Sequence, residues 1–231
     1  MRRAAIVLAW ALLPAACDDR VVVQFQTGPR QFELSAAMLG VPSVLREDAS
    51  GGARIARIPC GGGAMCPTAG GIVVTCEDGV CDPAPRTLSV ALGEVIDFDV
   101  LASDARSLVR RIDSIEVVAA SYTILVNTLT IAVPTTEVFW GPESAVDVDP
   151  SMGVVRLGVV PELPAGSMAS GSVDLDPAGV AALSDHLVWS SSRVRFFART
   201  RIDLAPGDPF PEGTLRVAVD FRVRIAGSTV R

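Results

Sequence analysis

Leu215-Arg216-Val217-Ala218-Val219-Asp220-Phe221-Arg222-Val223-Arg224-Ile225 reads as a half-buried β-strand from end to end. Leu215, Val217, Val219, Phe221, Val223 and Ile225 fall on one side; Arg216, Asp220, Arg222 and Arg224 fall on the other. Successive strand side chains point to opposite faces, so this alternation gives one face to a core and the other to water. Just upstream, Val194, Phe196, Ala198 and Ile202 alternate with Arg193, Arg195, Arg199 and Arg201. The intervening loop over residues 206–213 suits an antiparallel pair.

Working back from this pair, the same texture recurs. Leu88, Val90 and Leu92 alternate, as do Ile96, Phe98 and Val100. Residues 112–126 form the longest apolar strand, with Ile115, Val117, Ala119 and Leu125 expected on one face. Val118, Ala120, Tyr122, Ile124 and Val126 are expected on the other, which makes the strand central. Leu129, Ile131 and Val133 predict a further strand, stopped by Pro134. Short strands follow over residues 137–140, 154–160 and 171–175. Asp176-Pro177 is a helix opening, with Asp as N-cap and Pro at the first position, so a helix is predicted over residues 177–188. A short helical turn capped by Ser103 is expected over residues 103–109. Nearer the start, residues 21–26 predict a strand. Many short strands, Gly- and Pro-rich turns and one short helix predict a mainly β protein. The expected fold is an antiparallel β-sandwich, immunoglobulin-like in architecture, with one short helix and a small cysteine-rich segment. An open barrel is the second choice.

The cysteines are Cys17, Cys60, Cys66, Cys76 and Cys81. The last four cluster within 22 residues, an even set that reads as two disulfides in an oxidising compartment. Three connectivities are open. Cys60–Cys76 with Cys66–Cys81 is favoured, because a tight hairpin is expected around Glu77-Asp78-Gly79. A zinc site is the rival, although C-x5-C and C-x4-C spacings differ from the usual paired C-x2-C knuckles. The runs Gly61-Gly62-Gly63 and Gly70-Gly71 do not make a phosphate loop: no Lys or G-x-G-x-x-G accompanies them.

Residues 1–17 read Met-Arg-Arg, an apolar run over residues 4–13, then Pro14-Ala15-Ala16-Cys17. The run is roughly half of what a helix needs to cross a bilayer, so it marks an export signal. The small residues directly before Cys17 make this stretch resemble the signal peptide of a bacterial lipoprotein. The resemblance covers these residues alone. It implies that Cys17 is acylated, becomes the new N-terminus and tethers the protein to the cell envelope. Pro14 stands where that family usually has Leu, and an ordinary secretory signal cut near Ala16 is the alternative. The resemblance leaves open inner or outer membrane, and periplasm or cell surface. Four segments follow: a signal peptide over residues 1–16, an anchored tether with the first strands over 17–57, the cysteine-rich segment over 58–85, and the sandwich over 86–231.

Charge and composition narrow the chemistry. The chain has 20 basic and 26 acidic residues. Losing Arg2 and Arg3 with the signal leaves 18 basic, a net charge of −8. That disfavours nucleic acid, whose binding demands phosphate neutralisation. No Lys occurs anywhere, which excludes Schiff-base and P-loop lysine chemistry. The single His186, in the predicted helix, excludes motifs that need two histidines, and no G-x-S-x-G elbow is present. Three Asp-x-Asp pairs, Asp97/Asp99, Asp147/Asp149 and Asp174/Asp176, invite a Ca²⁺ reading, but turns and helix caps explain them better. No catalytic residue, metal or cofactor is assigned. If the last two strands pair, Arg193, Arg195, Arg199, Arg201, Arg216, Arg222 and Arg224 share a face suited to an anionic lipid, a glycan or an acidic envelope protein. The bland alternative is a solvated sheet face. The expected role is non-catalytic binding or structural service, with an accessory subunit of an envelope assembly or a carboxylate-dependent hydrolase as alternatives.

Overall fold

The computed structural model describes residues 20–63, 65–67, 72–101 and 109–229. The expected signal peptide, Cys17 and most of the helical turn expected over 103–109 lie outside them. Among the described residues fifteen strands form two main sheets and two hairpins. The first sheet runs β1 (Arg20–Gln26), β15 (Thr214–Thr229), β9 (Val109–Asn127) and β12 (Gly171–Ser172), with β2 (Arg30–Ser35) also along β15. The second runs β13 (Asp174–Leu175), β11 (Val155–Val160), β10 (Thr136–Pro142), β14 (Arg193–Ile202) and β7 (Arg86–Ala91), with β8 (Ile96–Asp97) on β14. All their pairings are antiparallel. The molecule is an antiparallel β-sandwich, as its alternating strands predict.

β15 and β9 are the spine, paired from Leu215↔Asn127 to Thr229↔Val109. On the other side of β15, β1 and β2 form one edge broken at Thr27-Gly28-Pro29. Thr27 is buried there: its N–H donates to the Phe221 carbonyl (3.0 Å) and its Oγ1 accepts from the Phe221 N–H (3.2 Å). β1 and β2, grouped with the tether on sequence grounds, are therefore built into the sandwich. The two sheets meet through Phe196 and Phe221, stacked with ring centroids 4.4 Å apart. The chain crosses between sheets within residues 171–175, with β12 on β9 and β13 on β11.

Three expectations need correction. First, β14 and β15 do not pair. They lie in different sheets, β15 against β1, β2 and β9, and β14 against β7, β8 and β10. Second, β9 does not keep one inward set. Ile115 and Val117 are buried at its start, but Ala120, Tyr122 and Ile124 are buried beyond. Register shifts where Arg222 faces Ala119 while Val223 faces Val117, leaving Val118 extra. A bulge of one residue swaps the inward parity. Third, residues 128–135 make no ladder strand; Leu129, Ile131 and Val133 are buried in alternation, with one bridge, Val133↔Leu163.

Two helical elements flank the sheets: the single turn α1 (Phe98–Leu101), which replaces the strand expected through Phe98 and Val100, and α2 (Pro177–Trp189). α2 packs on β9 and β11. Gly179 permits that approach, since a Cβ there would stand 1.9 Å from the Arg156 carbonyl oxygen. No helix among the described residues is long and apolar enough to cross a membrane.

The hairpins β3 (Arg46–Ala49) with β4 (Gly52–Ile55), and β5 (Val74–Glu77) with β6 (Val80–Pro83), gather at the end where β15 begins. Ile55 donates to the Asp208 carbonyl, Phe210 to the Ala53 carbonyl, and Cys81 to the Ile58 carbonyl. Arg20 pairs with Ser228 at the opposite end of β15. At ~3.3 Å per residue the two ends lie on the order of 45 Å apart along the strand. The cysteine-rich segment is therefore remote from Arg20, where β1 begins.

Candidate functional site

Asp78-Gly79 closes the β5–β6 hairpin with positive φ at both residues, 49° and 79°. This is the turn expected around Glu77-Asp78-Gly79, and it places Cys76 opposite Cys81. The disulfides are Cys60–Cys76 and Cys66–Cys81, with Cα–Cα distances of 5.9 and 5.5 Å. The sulfurs of Cys60, Cys66 and Cys81 lie within 4.8 Å of one another, so the two bridges pack together. All four sulfurs are spent in covalent bonds and not as thiolate ligands. Next to them Asp82 is pushed above the usual carboxylate range, first by burial and then by Glu77, Asp203 and Asp208.

The arginines do not form the single face expected of them. Arg193, Arg195, Arg199 and Arg201 lie on β14, while Arg216, Arg222 and Arg224 lie on β15 in the other sheet. Four are engaged. Arg199 donates to Glu137 Oε2 through Nη2 (2.9 Å) and Nε (3.2 Å), and its guanidinium lies 4.6 Å from the Phe139 ring centroid. Arg193 pairs with Glu143 (2.6 Å) and Asp97 (3.8 Å), Arg216 with Glu33 (2.9 Å), and Arg224 with Glu116. Arg195, Arg201 and Arg222 make no ion pair among the described residues. Phe197, on the same strand face as these β14 arginines, is buried with Phe139, Ala145 and Val154. The alternation of β14 did not reveal that cover, because it comes from the separate loop after β10.

One member of each Asp-x-Asp pair acts as a local cap. Asp97 Oδ1 accepts from the Asp99 N–H (2.9 Å) and from Ser192 Oγ (3.4 Å). Asp149 Oδ1 accepts from the Ser151 N–H (2.8 Å), a bond that lowers its pKa. Asp176 caps α2 through the Ala178 N–H (3.0 Å) and binds Arg156 Nη2 (2.9 Å). The Arg156 bond is the main reason its pKa falls. These pairs sit on β8–α1, in the β10–β11 loop and at the start of α2, and among the described residues none of them joins a group of three metal-ligating side chains.

His186 lies in the last turn of α2, its ring 5.2 Å from that of Trp140 and tilted by 47°. Its Nε2 is buried without a hydrogen bond, and burial pulls its pKa below the ordinary imidazole value. Trp140 Nε1 donates to the Gly179 carbonyl (3.1 Å), tying β10 to the helix. This arrangement packs α2 on the sandwich, and among the described residues no hydroxyl or thiol bonds the buried Nε2.

A cavity of about 40 Å³ lies between the sheets, lined by Phe32, Leu88, Tyr122, Val138, Leu215 and neighbours. Its Thr136 and Thr200 hydroxyls both donate to the Pro134 carbonyl, at 3.0 and 3.4 Å. An apolar cavity that admits benzene measures on the order of 150 Å³, so the space suits a packing gap and not an organic ligand.

No protein-family model matches the chain, and no curated protein matches it. Two solved viral structures are similar. One, from Desmodium yellow mottle tymovirus, has 10% identity over 96% of this chain and 97% of its own, at a TM-score of 0.32. The other, of the infectious bursal disease virus Gx strain, has 7% identity over 96% of this chain and 55% of its own, at a TM-score of 0.27. At these scores the likeness carries no argument about fold or function.

Proposed function

We propose that this chain is a lipid-anchored protein of a bacterial cell envelope with a non-catalytic binding or structural role. The observation that carries the reading is Pro14-Ala15-Ala16-Cys17 after a positive start and a short apolar run. Acylation of Cys17 supplies the chains needed for stable membrane attachment. Two disulfides agree with an oxidising compartment. The separate capping roles of the three Asp pairs weigh toward binding or structure over a carboxylate-dependent hydrolase, which needs two carboxyl groups across one bond.

A second reading, an accessory subunit of an envelope assembly, draws on the end remote from the tether. Met38, Val44, Met65 and Val73 are exposed by 41, 54, 91 and 67% on its loops and turns. Large exposed apolar side chains gathered at one end suit contact with a partner protein.

The test is the intact mass of the mature N-terminal peptide from membranes, with and without an inhibitor of the lipoprotein signal peptidase. An acylated Cys17, lost in favour of the uncut precursor under inhibition, is expected. An unmodified N-terminus near Ala16 or Cys17 in the soluble fraction overturns the reading.

A further inference from the structure

Only three residue steps separate Cys17 from Arg20, the first residue of β1. Even fully extended they reach about 10 Å. If Cys17 is acylated, the end of the sheet that holds Arg20 is pinned near the bilayer surface. Its neighbours are set by register: Arg20 faces Ser228, and Ser228 faces Arg111, so the three make one row across β1, β15 and β9. The Arg111 side chain is 75% exposed and reaches Asp113 at 3.6 Å.

The second sheet adds apolar groups at the same end. Phe196 stacks on Phe221, while Ala198 and Thr200 share the interior cavity with Leu215, Val217 and Val219. β14 and β15 therefore run in opposite senses across the sandwich, and β14 starts, at Arg193, at the Arg20 end. The chain entering it comes from the C-terminus of α2, where Trp189 is 75% exposed. The Phe98 N–H donates to the Ser192 carbonyl (2.9 Å), so α1 sits beside this entry, and its Val100 is 70% exposed. Trp is among the residues most buried on average, and its amphipathic ring favours the membrane–water interface.

We infer that this end of the sandwich is a membrane-docking surface, with Trp189 and Val100 seated in the headgroup–acyl boundary of the leaflet that holds the anchor. The inference rests on the acylation of Cys17 proposed above. The short tether brings the surface to the lipid; the indole and the valine hold it there. The orientation that results points the cysteine-rich end away from the membrane.

The test uses the full mature protein, purified from membranes and reconstituted in vesicles of phosphatidylethanolamine and phosphatidylglycerol. The mature chain has two tryptophans, Trp140 and Trp189. Trp140 is only 4% exposed, so the difference between the parent and Trp189→Phe isolates the Trp189 emission. A nitroxide carried near the lipid headgroup should quench most of that emission, and aqueous iodide should lose access to it. The mass of the same sample is measured in parallel. Acylated protein whose Trp189 is untouched by the nitroxide and open to iodide overturns the docking surface and leaves the anchor standing. Protein without acyl chains overturns both.

Discussion

Over residues 58–85, the described residues bury only Ile72, Cys81 and Pro83. β15 alone buries Leu215, Val217, Ala218, Val219, Phe221, Val223 and Ile225. Both regions are β-structure with tight turns, but they are held by different forces. In the sandwich, apolar area removed from water supports the fold at about 1.5–3 kcal/mol per fully buried large side chain. In the cysteine-rich segment too little area is buried to offset the ordering of the backbone, and covalent links restrict the unfolded chain instead. The difference says where each region fails: the sandwich fails as a unit when its core is opened, and the segment fails locally when its bridges are cut.

The largest effect is expected from Phe221→Ala. Phe221 is 1% exposed and stacks on Phe196, so its loss opens the seam between the sheets. Such truncations cost about 3–5 kcal/mol. Thermal melting and amide exchange should show β9, β14 and β15 weakened together. If protection falls in β15 alone, the two sheets are not one cooperative core.

What could be read from the sequence follows the same division. The inward set of β15 is plain from residue 215 to 225, because one buried face forces alternation. The cysteine pairing was legible through the Asp78-Gly79 turn, a local feature. Strand partners were not. β14 and β15 each look like half of an antiparallel pair, and nothing in their own residues says that β9, longer and apolar on both sides, takes the place beside β15. The bulge at Val118 left no mark either, since one extra residue changes parity without changing composition. The arginines were recognised as a class, but their distribution over two sheets depends on that hidden pairing. The row of Arg20, Ser228 and Arg111 joins residues 91 or more apart in sequence, so register alone reveals it.

The next effect in size is that of Cys60→Ala with Cys76→Ala. Removing one bridge should weaken the segment by about 2–4 kcal/mol. The comparison becomes sharp when the two regions are read separately: amide protection in β5 and β6 should collapse while the sandwich keeps its melting temperature. A parallel drop in the sandwich would mean that the stretch from Ile58 back to Ile55, whose N–H donates to the Asp208 carbonyl, couples the regions after all.

The smallest effect tests the sandwich through pH. Burial lowers the pKa of His186 from 6.5, with no carboxylate bonded to Nε2 to compensate. The folded chain then takes up this proton less readily than the unfolded one. The unfolded state binds more protons below pH 6.5, so stability is full above that value and falls as pH drops through it toward the folded pKa. His186→Phe keeps a ring beside Trp140 but removes the titration. Its sandwich should melt with a flatter pH dependence between 6.5 and the carboxylate range, whereas the parent loses stability there. Asp149 and Asp176, whose pKa values are lowered from 3.8, act only below that interval and do not obscure it. Amide protection in β5 and β6, far from α2, should not change between parent and variant. Equal slopes in the two proteins would show that the imidazole is not desolvated at the α2–β10 contact, and would count against α2 as a packed part of the core.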